Sequence, residues 1–203
     1  MSLARYLSKL GTLLNSSGQV TASGIQDAAV TAAKMASGAA RTNFGAGAVL
    51  QVVQVTYDNV ISASGGSFVD LPTLQANITP RDVNSKILVC PNFHVGASMN
   101  YQIMFRAYRV DSGVENWIGK GISDGIHTQC SFAVGQQAFD NYNLIQTSWM
   151  FLDAPASTNS LTYKFKWADP RDGGTHFIGR SYYDTNSAES RTTSLLTLLE
   201  IAG

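Results

Sequence analysis

Chemistry in this chain would have to come from three histidines, fourteen carboxylates and two cysteines spread over 203 residues. His94, His127 and His176 each stand in a β-like run, without a second histidine or carboxylate at the spacing by which side chains share a metal ion. They read as structural or surface imidazoles, and no metal is assigned. The run Asp169-Pro170-Arg171-Asp172-Gly173-Gly174 sets two carboxylates in a tight turn. It lacks the further oxygen ligands of a calcium loop, so it reads as a hairpin turn, and Asp153 beside Pro155 reads as a turn cap. Cys90 and Cys130 read as two buried thiols, because a single pair of cysteines makes no disulfide framework.

The strong signatures of catalysis are missing from the sequence. It holds no Gly-x-Ser-x-Gly elbow, phosphate-binding loop, dinucleotide glycine fingerprint or His-Glu-x-x-His. A glycan-degrading site needs two carboxylates about 5 to 9.5 Å apart across a cleft, whereas the acids here fall mostly beside turn residues. The expectation is a protein that is not an enzyme and needs no cofactor. Trp117, Tyr142, Tyr182 and Tyr183 are interleaved with Asn116, Asn141, Asn143, Arg180 and Ser181. Aromatic faces stack on sugar rings while amides bind hydroxyls, but the same residue types also fill subunit interfaces. Both readings stay open.

Charge narrows the partners. Lysine plus arginine and aspartate plus glutamate number 14 each, and charged residues make up 14% of the chain. A neutral, sparsely charged surface lacks the field that attracts a polyphosphate backbone, so nucleic acid is not an expected partner. No run approaches the roughly 18 apolar residues of a membrane span, so a membrane is not expected either.

The elements that must position these residues change character near residue 47. Leu3, Tyr6, Leu7, Leu10, Leu13 and Leu14 recur at helical spacing, which predicts a short amphipathic helix over 3–14. A helix of about 12 residues is marginal alone in water, so its leucine stripe needs a surface: its own domain, a partner chain or its symmetry mates. Residues 15–47 are rich in Ala, Gly, Ser and Thr with Phe44 as their one aromatic. They hold too little apolar surface to offset their own ordering entropy. Residues 1–47 therefore read as an attachment arm, and residues 48–203 as one β domain.

That domain should be all-β. Strands are expected at 49–57, 67–71, 74–78, 86–95, 101–110, 126–134, 144–152, 161–167, 175–178 and 192–201, with turn residues between them. Ile103, Phe105 and Ala107 oppose Met104, Arg106 and Tyr108, and Tyr163, Phe165 and Trp167 oppose Thr162, Lys164 and Lys166, so these strands have one dry face. The last run is assigned as a strand because Thr192, Thr193, Thr197 and Ile201 are β-branched. Short antiparallel strands without intervening helices fit a β-sandwich or jelly roll.

Several stretches carry a family resemblance: Val49 to Gln54, Ser67 to Asp70, Ile78 to Pro80, Ser85 to Val89, Phe151 to Pro155, Phe177 to Ser181 and Leu199 to Ile201. Together they resemble a β domain of tailed-bacteriophage virion structural proteins, and residues 24–40 are similar to one copy of the linker repeats of phage fibre proteins. The resemblance implies a homotrimer on the outer surface of a phage particle, bound to capsid or tail proteins. At 203 residues there is no room for a fibre shaft, which favours a capsid decoration protein or short head fibre. The competing expectation is a receptor-binding tail tip that recognises host surface glycans.

Overall fold

The computed structural model describes residues 45–98, 102–135, 141–171, 174–185 and 188–203. Expectations that fall on 1–44, including the helix over 3–14 with Leu3, Tyr6, Leu7, Leu10, Leu13 and Leu14, lie outside the described residues. Gly45–Gly203 forms a compact unit of its own, and no helix occurs among its described residues.

In chain order the strands are β1 (Val49–Tyr57), β2 (Ile61–Ser64), β3 (Val69–Asp70), β4 (Ala76–Ile78), β5 (Lys86–Ala97), β6 (Ile103–Asp111) and β7 (Val114–Ile118). They continue with β8 (Phe132–Val134), β9 (Ile145–Ser148), β10 (Phe151–Asp153), β11 (Leu161–Ala168), β12 (Thr175–Ile178) and β13 (Ser194–Ile201). These form two antiparallel sheets. One has the order β1-β13-β5-β12-β2, with β9 and β10 also paired to β5. The other has the order β3-β11-β6-β7, with β4 paired to β11 and β8 to β6.

β5 organises the first sheet. β13 and β12 succeed each other along one of its edges, and β10 and β9 along the other. The expected single strand over 144–152 is broken in two opposite Pro91, where Trp149 donates its amide to the Pro91 carbonyl at 3.4 Å. Proline has no N–H to return, so the ladder lapses there and resumes at Phe151 opposite Val89.

Alternation places the core where the sequence pattern expects it. Ile103, Phe105 and Ala107 from β6 and Tyr163, Phe165 and Trp167 from β11 are all buried, facing Ile87, Val89, Phe93 and Val95 of β5. The two sheets meet through aromatic rings: Phe93 lies 5.1 Å edge-on to Phe165 and 5.5 Å from Phe105, which stacks at 4.8 Å on Phe132. Each fully buried phenylalanine contributes roughly 1.5–3 kcal/mol of transfer free energy, and tilted and edge-on pairs add specificity of packing.

Four expectations need correcting. Strands β2 and β7 were not anticipated, since Ile61-Ser-Ala-Ser64 is short and polar and the five residues of Val114-Glu-Asn-Trp-Ile118 are interrupted by the weak strand formers Glu115 and Asn116. The expected strand over 126–134 shrinks to β8, because the Asp124 carboxylate accepts the amides of Ile126 and His127 and holds a turn there. The Asp169 run is no hairpin. It carries the chain from β11 in one sheet to β12 in the other, and Asp169 accepts the amides of Arg171 and Gly174 across the bend.

The fourth correction concerns Asp153. Its side chain is only 8% exposed and is an inter-sheet ion pair rather than a turn cap. Nη1 of Arg109 in β6 lies 2.9 and 2.8 Å from its two oxygens, and the hydroxyl of Tyr163 in β11 donates to Oδ2 at 2.7 Å. Burial first, and then the neighbouring carboxylate, push the Tyr163 phenol well above its ordinary range, so it remains a donor.

Two sites need a missing Cβ or a left-handed backbone. Ser112 and Gly113 both have positive φ, 52° and 82°, as the two-residue hairpin turn between β6 and β7 requires. At Gly96 a Cβ would come within 2.2 Å of the Arg180 carbonyl, so the chain after β12 crosses β5 in backbone contact.

Removing one partner of the buried pair should cost far more than removing both. Asp153→Ala should lower unfolding free energy by about 3–5 kcal/mol, and Arg109→Met with Asp153→Leu should recover much of that loss. Urea denaturation with unchanged slopes checks this.

Candidate functional site

The outer face of the six-stranded sheet is built by the residues that alternate with its core. Arg106 lies 3.7 Å from the ring centre of Phe68 and 4.4 Å from that of Trp117, and Lys120 lies 4.9 Å from Trp117. The Trp117 indole donates to Ser131 Oγ at 3.0 Å, and that hydroxyl in turn donates to the Ile118 carbonyl at 2.9 Å. Trp117 is thus held at its nitrogen and engaged by cations at its ring. Beside it, Lys166 lies over Tyr108 and 2.8 Å from Glu115, while Lys164 bridges Glu115 and Asp70. Hydrogen bonds from Lys164 and Lys166 hold the Glu115 carboxyl below its ordinary value.

The three predicted tyrosines form a second group. Tyr142 sits 5.0 Å from Tyr183, and Tyr183 sits 5.6 Å from Tyr182, which meets Phe177 of β12 edge-on at 6.0 Å. The backbone fixes this chain of rings: Tyr183 donates its amide to the Asn141 carbonyl at 2.8 Å, and Ser181 Oγ donates to the Tyr183 carbonyl at 2.8 Å. Arg180 stacks 3.7 Å over Phe177 and donates to the Tyr182 carbonyl. Tyr142 is 63% exposed and lines a shallow depression of about 150 Å³ with Ala188, Glu189 and Ser190. The structure therefore brings Tyr142, Tyr182 and Tyr183 together and assigns Trp117 to the other cluster.

The histidines separate by environment. His94 shares Nδ1 with the Thr193 carbonyl at 2.8 Å. His127 pairs with Asp124 on an exposed loop, where hydrogen bonds from the His127 amide and ring hold the Asp124 carboxyl low. That carboxylate, three residues earlier, escaped the reading of His127 as isolated. His176 is buried edge-on to Trp167 at 4.3 Å between ring centres. Its Nδ1 lies 3.1 Å from the Gly174 carbonyl, which can only accept, so Nδ1 carries the proton. Among the described residues, no three His, Cys, Asp or Glu side chains gather as a metal would need.

Cys90 and Cys130 are both free and half-buried, less enclosed than expected. Burial raises both thiols above their ordinary value, with Arg106 opposing the rise at Cys130. They lack the thiolate character of a nucleophile. Sequence reasoning also missed Glu200, a fully buried carboxylate that accepts from Gln51 Nε2 at 2.7 Å and from the Arg81 amide at 2.6 Å.

These features define a class by fold alone: an all-β domain of two antiparallel sheets over one aromatic core. No protein-family model and no curated protein matches the sequence. Among solved structures, the chain is similar to one of infectious bursal disease virus, Gx strain, at 10% identity and a TM-score of 0.37, covering 74% of this chain and 38% of that one. It is also similar to the VP2 subviral particle of the same virus, at 13% identity and a TM-score of 0.38, covering 75% and 33%. A third likeness is to Eiger TNF from S. frugiperda, at 12% identity and a TM-score of 0.39, covering 74% and 93%. The chain thus spans about a third of the viral chains it matches, and none of these likenesses defines its family.

Burial pulls the His176 imidazole below its ordinary 6.5, against the opposing Gly174 carbonyl and Asp169 charge. The unfolded chain then takes up the proton first as pH falls. Stability from neutral His176 is present above pH 6.5 and is lost as pH drops through the lower folded-state value. Urea midpoints should fall from about pH 7 to about pH 5, and His176→Gln should flatten that fall.

Proposed function

We propose that the chain is a non-enzymatic structural protein of a virus particle, a tailed-phage capsid decoration protein or short head fibre. In this reading a jelly-roll-type sandwich projects from the particle and residues 1–44 attach it. The observation that carries the reading is the division of labour along the chain. Gly45–Gly203 closes its own core, while the residues before it supply a leucine stripe at 3–14 and an Ala/Gly/Ser/Thr stretch with little to bury. The phage resemblance of the strand motifs and of residues 24–40 supports the same setting.

Deleting residues 1–44 is the direct test. The shortened protein should unfold cooperatively, with a melting temperature close to that of the full chain, yet fail to add to particles lacking the native protein. Particle binding by the shortened form would overturn the reading.

A second reading, a receptor-binding tip, is favoured by one observation: the exposed ring of Tyr142 tilted against Tyr183, 5.0 Å between ring centres. An exposed aromatic face of this kind can stack on a sugar ring. Tyr142→Ala should leave stability within about 0.5 kcal/mol, as for exposed positions generally, and abolish binding on a glycan array. An array without signal for the native protein would remove this reading.

A further inference from the structure

The depression beside Tyr142 has a size and a charge that narrow what it can hold. At about 150 Å³ it is well under the roughly 300–1,000 Å³ of clefts that enclose a drug-sized molecule. It takes one ring of a longer ligand and leaves the rest in water. Of its lining residues, Tyr142, Ala188, Glu189 and Ser190, only Glu189 is charged.

The two arginines of the same segment are committed elsewhere. Arg180 stacks over Phe177, donates to the Tyr182 carbonyl at 3.0 Å and lies 3.6 Å from the Asp184 carboxylate. Arg191 pairs with that same carboxylate and donates to the Ser190 carbonyl at 3.4 Å. Hydrogen bonding to Arg191 holds the Asp184 carboxyl below its ordinary value, so the pair stays ionised at neutral pH. The depression therefore meets a ligand with one aromatic face and one carboxylate, and without a cation in its lining.

We infer that it takes the terminal ring of an uncharged glycan, a neutral hexose or N-acetylhexosamine, and turns away acidic sugars. The inference rests on the receptor-binding reading above and adds its ligand class. A pyranose offers a face of C–H bonds and a rim of hydroxyls. The face suits the Tyr142 ring, 63% exposed and negative over its plane. The rim suits Glu189: Thr185 Oγ1 donates to its Oε1 at 3.1 Å and orients the group, and a carboxylate has about four acceptor sites. Hydrogen bonds to an ionised acceptor are roughly twice as strong as neutral ones. A uronic or sialic acid would instead set a second carboxylate beside Glu189, and like charges at close range reject a ligand.

Saturation-transfer NMR and titration of the full chain test this, with methyl galactoside, methyl N-acetylglucosaminide, glucuronic acid and N-acetylneuraminic acid as probes. A neutral sugar should bind, and both acids should bind about tenfold more weakly or not at all. Glu189→Gln should weaken the neutral sugar about tenfold, the difference between a charged and a neutral acceptor, and narrow the gap to the acids. Tyr142→Ala should abolish binding, with melting still cooperative in both variants. An acid bound as tightly as the neutral sugars, or neutral-sugar binding unchanged by either substitution, overturns the inference while leaving the receptor reading standing. A native chain that binds none of the four probes and no glycan on an array removes both.

Discussion

Arg109 points into the interior from β6, and its charge is met by Asp153 on β10, in the other sheet, with Tyr163 of β11 closing the group. An arginine and a carboxylate withdrawn from water are tolerable only together and in good hydrogen-bonding geometry. The pair therefore acts as a constraint on register in both layers. If β10 slipped by one residue along β5, Leu152 would turn inward and Asp153 outward, leaving Arg109 buried and unmatched. Phe151 would leave the core in the same step, since strand faces alternate. The aromatic packing around Phe93, Phe105, Phe132 and Phe165 presupposes that registration.

β5 transmits this constraint through the first sheet. Four strands hang on its two edges, and Pro91 sets the point at which β10 gives way to β9. The interruption is useful to the packing: it lets Trp149 leave the ladder and stack at 5.5 Å on Phe132 and at 5.3 Å on Phe151, capping the aromatic core at the end where β8 meets β6. Further along the same strand, Gly96 admits the backbone of Arg180 and Ser181. The rings of Tyr182, Tyr183 and Tyr142 are thereby set by main-chain contacts to rigid strands, not by their own packing alone.

Much of the fold was legible because burial in a sheet imposes a period of two, and β6 and β11 obey it residue by residue. The same period held a further signal. Arg109 continues the parity of Ile103, Phe105 and Ala107, and Tyr163 shares the face of Phe165 and Trp167, so an arginine stood in a dry register and demanded a buried carboxylate. Which carboxylate was not legible, since Asp153 is brought to Arg109 by the pairing of sheets and not by spacing in sequence. β2 and β7 escaped notice because short strands with serine, glutamate and asparagine are stabilised by neighbours and not by propensity. The tyrosine cluster was legible as residue types and not as a cluster: Tyr142 and Tyr183 are 41 residues apart and meet through the Asn141 to Tyr183 hydrogen bond.

The difference between the two outer faces follows from how each sheet meets its surroundings. A strand that faces water on one side ordinarily alternates apolar with polar residues, and β11 does so with Thr162, Lys164 and Lys166. β13 follows the rule less strictly: Leu195, Leu199 and Ile201 share its outer side with Thr197, while Ser194 and Glu200 lie buried beside Leu196 and Leu198 on its inner side. β5 repeats the departure at Leu88. Register aligns that leucine with Leu199 of β13, and Val52 and Leu152 extend the line on either side, one apolar row across a face that otherwise carries Gln54, Thr197, Asn92 and His94. On the six-stranded sheet the outward lysines and arginine find their partners within the domain.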